Sequence, residues 1–562
     1  MLQTQTADLV IHHANVVTLD AQNRRAEALA VRGEKIVAIG DDDEILKLAG
    51  PKTQIFDADG RMVLPGLMDS HVHPIDAASS EIQSELPVLR SLEDVFRFVQ
   101  GEAQRKPAGE WIILRFAFPT RLREGRFPTR QELDKVAPNH PVLYHAGPAS
   151  VVNTKALQVS GITRDTPNPP NGIIVKDPAT GEPTGMLRNA ISVLKGVRTG
   201  DKPVTQQQRR EALKKLLQLY NQHGLTSICD RAASRSELDM YYDLRKRGEL
   251  TIRVNVAREF SPPSLREDLV RRLEDLPGED KRGGPTGVGD AWVRVGPIKV
   301  FLDGGMLNGT AYMRQPWPKG PAYQIEEVDY RGLLFIRPQV LAMLAEEAAR
   351  RGWQLTAHTA GEAAMDVLLD AYELANRVVP IKSLRFCITH ANFPSQYNLE
   401  RCQRLGVVAD VQPAWLWKDG STLLRLLGKK RMRWFQPYRS WLRYTVVGGG
   451  SDHMLKFDPF LSTNPWSPWL GIYTAVTRFT EWGDTLCPEE RLSRQEALKL
   501  YTVNNAYLTR EEKIKGTLEV GKLADFIIID RDLLTCDAQQ IPMTKVLYTF
   551  VGGRMVYKSD SA

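Results

Sequence analysis

His71 and His73 stand two residues apart at the end of the apolar run MVLPGLMDSHVHP. Side chains alternate along a strand, so both imidazoles share a face with Asp69 and can grip one cation. Alone, such a pair reads either as a cation site or as two structural histidines with ordinary hydrogen-bond partners. In VGPIKVFLDGG, the same alternation puts Lys299, Phe301 and Asp303 on one face and Ile298, Val300 and Leu302 on the other. A lysine inside a buried strand is costly unless its charge is compensated. Two readings stay open for it. One is a salt bridge to Asp303 or another acid; the other is a neutral amine that adds carbon dioxide and becomes a carbamate bridging two divalent cations. His358 ends WQLTAH, His390 ends LRFCITH, and Asp452 ends YTVVGGGSD after the glycine run 448–450, which reads as flexible.

These residues need strands to carry them. Eight short apolar runs alternate with helical stretches: MVLPGLMDSHVH, LTSICD, TIRVNVA, VGPIKVFLD, WQLTAH, LRFCITH, GVVADVQ and YTVVGGGSD. Alternation of this kind specifies a parallel α/β fold, and eight strands over about 250 residues suit a closed (β/α)8 barrel. All six candidate ligands then fall at carboxyl ends of strands, the face on which barrel enzymes place their chemistry. The helical stretches, such as VLAMLAEEAARRG, repeat apolar residues near i, i+3, i+4 and i+7.

Both ends of the chain differ from the middle. Residues 1–62 and 511–562 read as short β-rich runs with turn pairs, two parts of one β-sandwich that the chain leaves and re-enters. Residues 63–510 hold the barrel, interrupted at about 75–205 by a block too long for a loop without structure of its own. That block is expected to form an insert domain over the barrel mouth.

Composition narrows the function classes. A chain of 562 residues with 42% apolar content can bury one large core and a smaller one. The 74 basic and 67 acidic residues leave +7, too little to argue for nucleic acid. No apolar stretch approaches the ~18 residues of a membrane span, and no secretion leader is visible. The five cysteines, without a C-x-x-C pair, read as reduced thiols of a cytoplasmic protein. Positive charge gathers between Trp415 and Tyr444, as Lys418, Arg425, Lys429, Lys430, Arg431, Arg433, Arg439 and Arg443 against Asp419. This is either a solvated face or a basic rim that draws anionic substrates to the mouth.

LPGLMDSHVHP, NTKAL, GEPTG, IKVFLDGG, HTAGEAAMDVLLDAYE, ITHAN, GVVADVQPAW, GGGSDHM, AVTR, ALKLYTVNNA and GTLEVGKLADFIIID together resemble the amidohydrolase superfamily over nearly the whole chain. The nearer resemblance is to the branch of N-substituted formamide deformylases. It implies that His71, His73 and Asp452 hold one metal and His358 and His390 another, with carboxylated Lys299 between them. The implied ions are two divalent cations, zinc first, with Mn, Fe, Co or Ni as alternatives. Asp452 is then also the catalytic proton carrier, and a metal-activated hydroxide attacks the substrate carbonyl. The chain departs from the branch in the substrate shell: Gly147-Pro148 stands where relatives show Gly-His, and DGGMLNGTA and His358-Thr359-Ala360-Gly361-Glu362 replace their usual counterparts.

The expected reaction is hydrolysis of a non-peptide C–N bond in an amide, N-substituted formamide or cyclic amide. The same site could cleave an ester, lactone or phosphoester, and a non-catalytic binding protein is the remaining alternative. Substrate contacts are expected from His145, Asp303, Tyr312, Trp415 and Trp417, for a small aromatic substrate carrying an acidic group. No nucleic-acid or membrane partner is expected, and the assembly is expected to be a homodimer.

Overall fold

The computed structural model describes residues 6–83, 87–197 and 203–560. Eight parallel strands form one sheet: β1 (Leu67–Val72), β2 (Leu225–Ala233), β3 (Arg253–Glu259), β4 (Val293–Phe301), β5 (Leu355–Thr359), β6 (Cys387–His390), β7 (Val408–Val411) and β8 (Val447–Gly449). Each pairs with the next in sequence. The circle closes where Val72 bridges in parallel to His453 and Asp452 N–H donates to His71 O at 2.7 Å. Most strand residues are buried on both faces, as a barrel clad in helices requires. Helix Pro338–Arg350 turns Val340, Leu341, Leu344, Ala345 and Ala348 into the core, and Glu362–Val378 turns Met365, Leu368, Leu369 and Tyr372 inward.

The glycine run before Asp452 is not a flexible segment. Val447–Gly449 is a strand, and a Cβ on Gly450 would lie 2.7 Å from His71 N and 2.8 Å from Asp69 Oδ1. Glycine is there because the ends of β8 and β1 meet too closely for a side chain. The first expected strand also divides. Met62–Pro65 pairs with Phe526–Ile529 and Asn15–Val17 in a six-stranded sheet, and only after Gly66 does the chain enter the barrel.

That six-stranded sheet mixes strands from both ends of the chain, and a four-stranded sheet of Lys35–Gly40, Ala28–Arg32, Leu9–His12 and Gln54–Asp57 accompanies it. Leu9, Ile11, Leu29 and Val31 of the smaller sheet share a buried cluster with Val63, Phe526, Ile528 and Phe550 of the larger. The insert contains a five-stranded sheet, Ile173–Lys176, Pro183–Arg188, Ala149–Val152, Val142–Ala146 and Ile112–Arg115. It rests on segments that follow the barrel strands: Asn308 Nδ2 donates to Ala146 O at 2.6 Å, and Arg121 holds Asp419 at 3.0 Å and Asn464 at 2.8 Å. Among the described residues no helix is long and apolar enough to cross a membrane, and all five cysteines are free thiols.

Candidate metal centre

Three ligand-type atoms converge where β1 meets β8. His71 Nε2 and His73 Nε2 lie 3.3 Å apart, and Asp452 Oδ1 is 3.2 Å from the first and 3.3 Å from the second. All are within 4.8 Å of one another. Asp69 makes the corner by accepting the backbone N–H groups of His71 at 2.9 Å and Ser451 at 3.1 Å. His71 Nδ1 faces Asp410 Oδ2 at 3.2 Å. A proton on Nδ1 satisfies that carboxylate and leaves the Nε2 lone pair aimed at Asp452. Lone pairs of this kind repel unless something positive lies between them, so the donor set fits a divalent cation of the zinc group.

The other expected ligands stand next to this trio. The His390 ring is 4.9 Å from that of His71 and 4.4 Å from that of His358. His390 Nδ1 pairs with Gln412 Oε1 at 2.7 Å, and its backbone N–H donates to Asp410 Oδ1 at 3.1 Å. His358 Nε2 pairs with Gly304 O at 3.1 Å. In both rings a partner fixes one nitrogen and leaves the other for a ligand. Burial lowers His358 to about 3, with Lys299 adding to the effect, and holds His390 far below the usual imidazole range. Both are therefore neutral at pH 7, the form that binds metals. His390 and Asp452 have φ of 73° and 57°, a left-handed conformation costing about 1–2 kcal/mol per residue. Strain at two strand ends that both carry candidate ligands is the pattern of a site held in shape by its surroundings.

Lys299 is 1% exposed. Burial brings its amine down to about 8, opposed by Asp410 and aided by Arg231. Asp303 is not its partner. Both Asp303 oxygens accept backbone N–H bonds at 2.9 Å, from Ala360, Tyr312 and Gly361, and no ion pair joins it to Lys299 among the described residues. These bonds tie the loop after β4 to the end of β5, with Asp303 1% exposed and its Oδ1 3.8 Å from His358 Nε2.

The remaining expected contacts separate. Trp415 stacks on His390, 4.4 Å between centroids and 16° between planes. Trp417 instead lies edge-on to Tyr473 at 6.1 Å. His145 sits in the insert, bonded to Ser150 Oγ at 2.9 Å, and Tyr312 contributes its backbone to the Asp303 knot. In the basic run, Lys418 is paired with Glu481, Arg431 with Glu362, and Arg433 with Glu489 and Glu490. A cavity of about 560 Å³ under the insert, bordered by Phe116, Arg121, Lys418 and Leu455, excludes all six candidate ligands.

Four supporting residues escaped the sequence reading. Asp410 is fully buried, touches both His71 and His390, and is held by Arg231 Nη2 at 3.1 Å. Gln412 orients His390. Asn464 Nδ2 donates to Asp452 O at 2.5 Å and to Oδ2 at 3.2 Å. The signal for two of them was present: Asp410 and Gln412 alternate in GVVADVQ just as His71 and His73 do in DSHVH.

The amidohydrolase family model matches residues 54–557. This chain belongs to the amidohydrolase family. An N-substituted formamide deformylase of Arthrobacter pascens is 30% identical, covering 99% of each chain. Among solved structures, an uncharacterized metal-dependent hydrolase of Pyrococcus horikoshii OT3 superposes with a TM-score of 0.66 at 23% identity, over 94% of this chain and 99% of that one. Atrazine chlorohydrolase TrzN of Arthrobacter aurescens TC1, a zinc complex, gives 0.53 at 17% identity over 98% and 95%. At those identities the two structures speak for the barrel and its flanking sheets alone. The amidohydrolase family model and the full-length relative settle that this chain is a hydrolase of the family.

Proposed function

We propose that this amidohydrolase cleaves a non-peptide C–N bond in an N-substituted formamide or a small linear or cyclic amide, using two divalent cations. The observation that carries the reading is the meeting of His71 Nε2, His73 Nε2 and Asp452 Oδ1 beside two histidines kept neutral by burial. The full-length likeness to a formamide deformylase favours that bond over others.

His71, His73 and Asp452 would hold one ion, and His358 and His390 the second, with Lys299 between. Bound there, the ions supply Lewis acidity and make water acidic enough to be deprotonated near neutral pH, zinc lowering its pKa toward ~7. Asp452 is the carboxylate that would take the proton of the attacking water and pass it to the leaving nitrogen. Asn464, bonded to Oδ2, keeps that carboxylate in one rotamer. Lys299, near half neutral at pH 8, is an amine able to add carbon dioxide, and the resulting carbamate would give the second ion the anionic ligand that its two histidines lack.

Two measurements test this. Protein loaded with zinc or manganese is assayed against formamides, cyclic amides and esters. Turnover confined to esters would move the enzyme to the ester-cleaving alternative. Lys299→Ala is then analysed for metal content, where at least one ion should be lost and activity partly restored by added acetate. Metal content equal to that of the parent would remove Lys299 from the site.

A further inference from the structure

Most of the candidate metal centre is sealed. His71 and Lys299 are 1% exposed, and His390 and Asp452 are 3% exposed. One side chain beside them is different: Phe301, the last residue of β4, keeps 42% of its surface exposed. Its sequence neighbours Val300 and Leu302 are fully buried in the hydrophobic core. The Phe301 ring lies on the opposite side, 5.1 Å from Lys299 Nζ and 5.9 Å from the His358 ring. It therefore faces the interior of the barrel mouth, with an apolar surface left uncovered next to the reacting centre. Phe301 and His358 are register partners across β4 and β5, and the exposed Glu259 at the end of β3 is the register partner of Lys299.

An aromatic ring uncovered inside a polar site gains contact only when something flat and apolar enters. The carboxylate one strand away disfavours an acidic group in the same place. We propose that Phe301 is a specificity-determining platform for an uncharged, flat apolar substituent of the substrate. On the proposed C–N reading, on which this assignment of position rests, the substituent of a formamide is carried on nitrogen, since the acyl carbon bears only hydrogen. The platform replaces the anionic aromatic substrate expected from the basic run, three of whose members are occupied by glutamates.

The test uses two metal-chelating hydroxamates that differ only in the ring, with binding to the metal-loaded protein measured by calorimetry. N-Phenylformohydroxamate, which carries its ring on nitrogen, should bind at least about tenfold tighter than N-methylformohydroxamate, the scale on which an apolar pocket discriminates. In Phe301→Ala the preference should fall to about twofold or less, with N-methylformohydroxamate affinity and metal content retained; Phe301→Leu should be intermediate. N-(4-Carboxyphenyl)formohydroxamate should bind the parent more weakly than the N-phenyl compound, and that gap should narrow in Glu259→Gln. Equal affinity of the two hydroxamates for the parent, failure of the ring compound to bind, or an unchanged preference in Phe301→Ala would each overturn the platform. A ring preference in a protein that hydrolyses no amide or formamide would leave the platform standing and remove the proposed reaction. Amide turnover indifferent to a ring on nitrogen would do the reverse.

Discussion

The two ends of the barrel each bury charge, and they complete it differently. At the foot, where the sandwich meets β3, Arg253 is 1% exposed. Its guanidinium donates to Asp525 at 2.7 and 2.9 Å, to Ala291 O at 3.0 Å and to Glu34 at 3.4 Å, and stacks 4.6 Å above Trp292. Every nitrogen of that cation has a partner supplied by the chain. At the mouth, His71 Nε2, His73 Nε2 and Asp452 Oδ1 crowd together at 3.2–3.3 Å, each bringing an atom of metal-binding type to one point. A buried charge paired one to one with its partners holds the fold, and several groups of metal-binding type brought to one point suit a site that takes a ligand.

Removing one carboxylate at each end should separate the two roles. The largest effect is expected from Asp452→Asn, which removes the proton carrier and weakens one ligand. Turnover should fall by about a thousandfold or more, while the melting temperature stays within a few degrees of the parent. A near-normal rate would place proton transfer on another group and make the mouth less distinct from the foot than its geometry says. At the foot, Asp525→Ala leaves Arg253 buried against a lost partner, which costs about 3–5 kcal/mol of stability in denaturant unfolding. Metal content and the rate per folded molecule should not move. Loss of metal in that variant would mean that the two ends are coupled through β3.

Asp410→Asn has a foot in both classes. Asp410 orients His71 as a ligand's partner does, and it also neutralises buried Arg231. The expected result is a 10- to 100-fold loss of metal affinity, the usual scale for a ligand's hydrogen-bond partner, together with a measurable loss of stability. Unchanged metal affinity would assign Asp410 to holding the fold alone.

The foot and the mouth also differ in how much of them could be read from sequence. The barrel strands and the clustering of the six candidate ligands were legible because each candidate lies in or at the end of a short apolar run, and alternation fixes which side chains face in. Asp303 was legible only in part: alternation places it on the inner face, but the backbone N–H groups of Tyr312, Ala360 and Gly361 that hold its carboxyl come from loop paths that no spacing encodes. The Gly448–Gly450 run misled because glycine marks both flexibility and close approach, and only the position of His71 N distinguishes them. Arg253 with Asp525 was invisible, since the partners are 272 residues apart and meet only when the sandwich docks. Phe301 was placed on the right face, but its exposure depends on how the mouth is covered.

The smallest effect is expected at Gln412, where one neutral hydrogen bond separates the mouth from the self-contained foot. Gln412 Oε1 is 2.7 Å from His390 Nδ1, so the ring is fixed with Nε2 toward the centre. In Gln412→Ala the ring keeps its stacking on Trp415 and loses that acceptor, and the expected cost is about tenfold in metal affinity. On the proposed two-ion reading, the loss should be confined to one ion in a competition titration with a chelator. Gln412→Glu keeps an acceptor at the same place and should restore affinity to the parent level or above it, because a carboxylate makes the opposite nitrogen a stronger donor to the metal. If alanine and glutamate behave alike, His390 is held by its packing against Trp415. The mouth would then be organised by shape, as the core is, and not by hydrogen bonds that leave one nitrogen open.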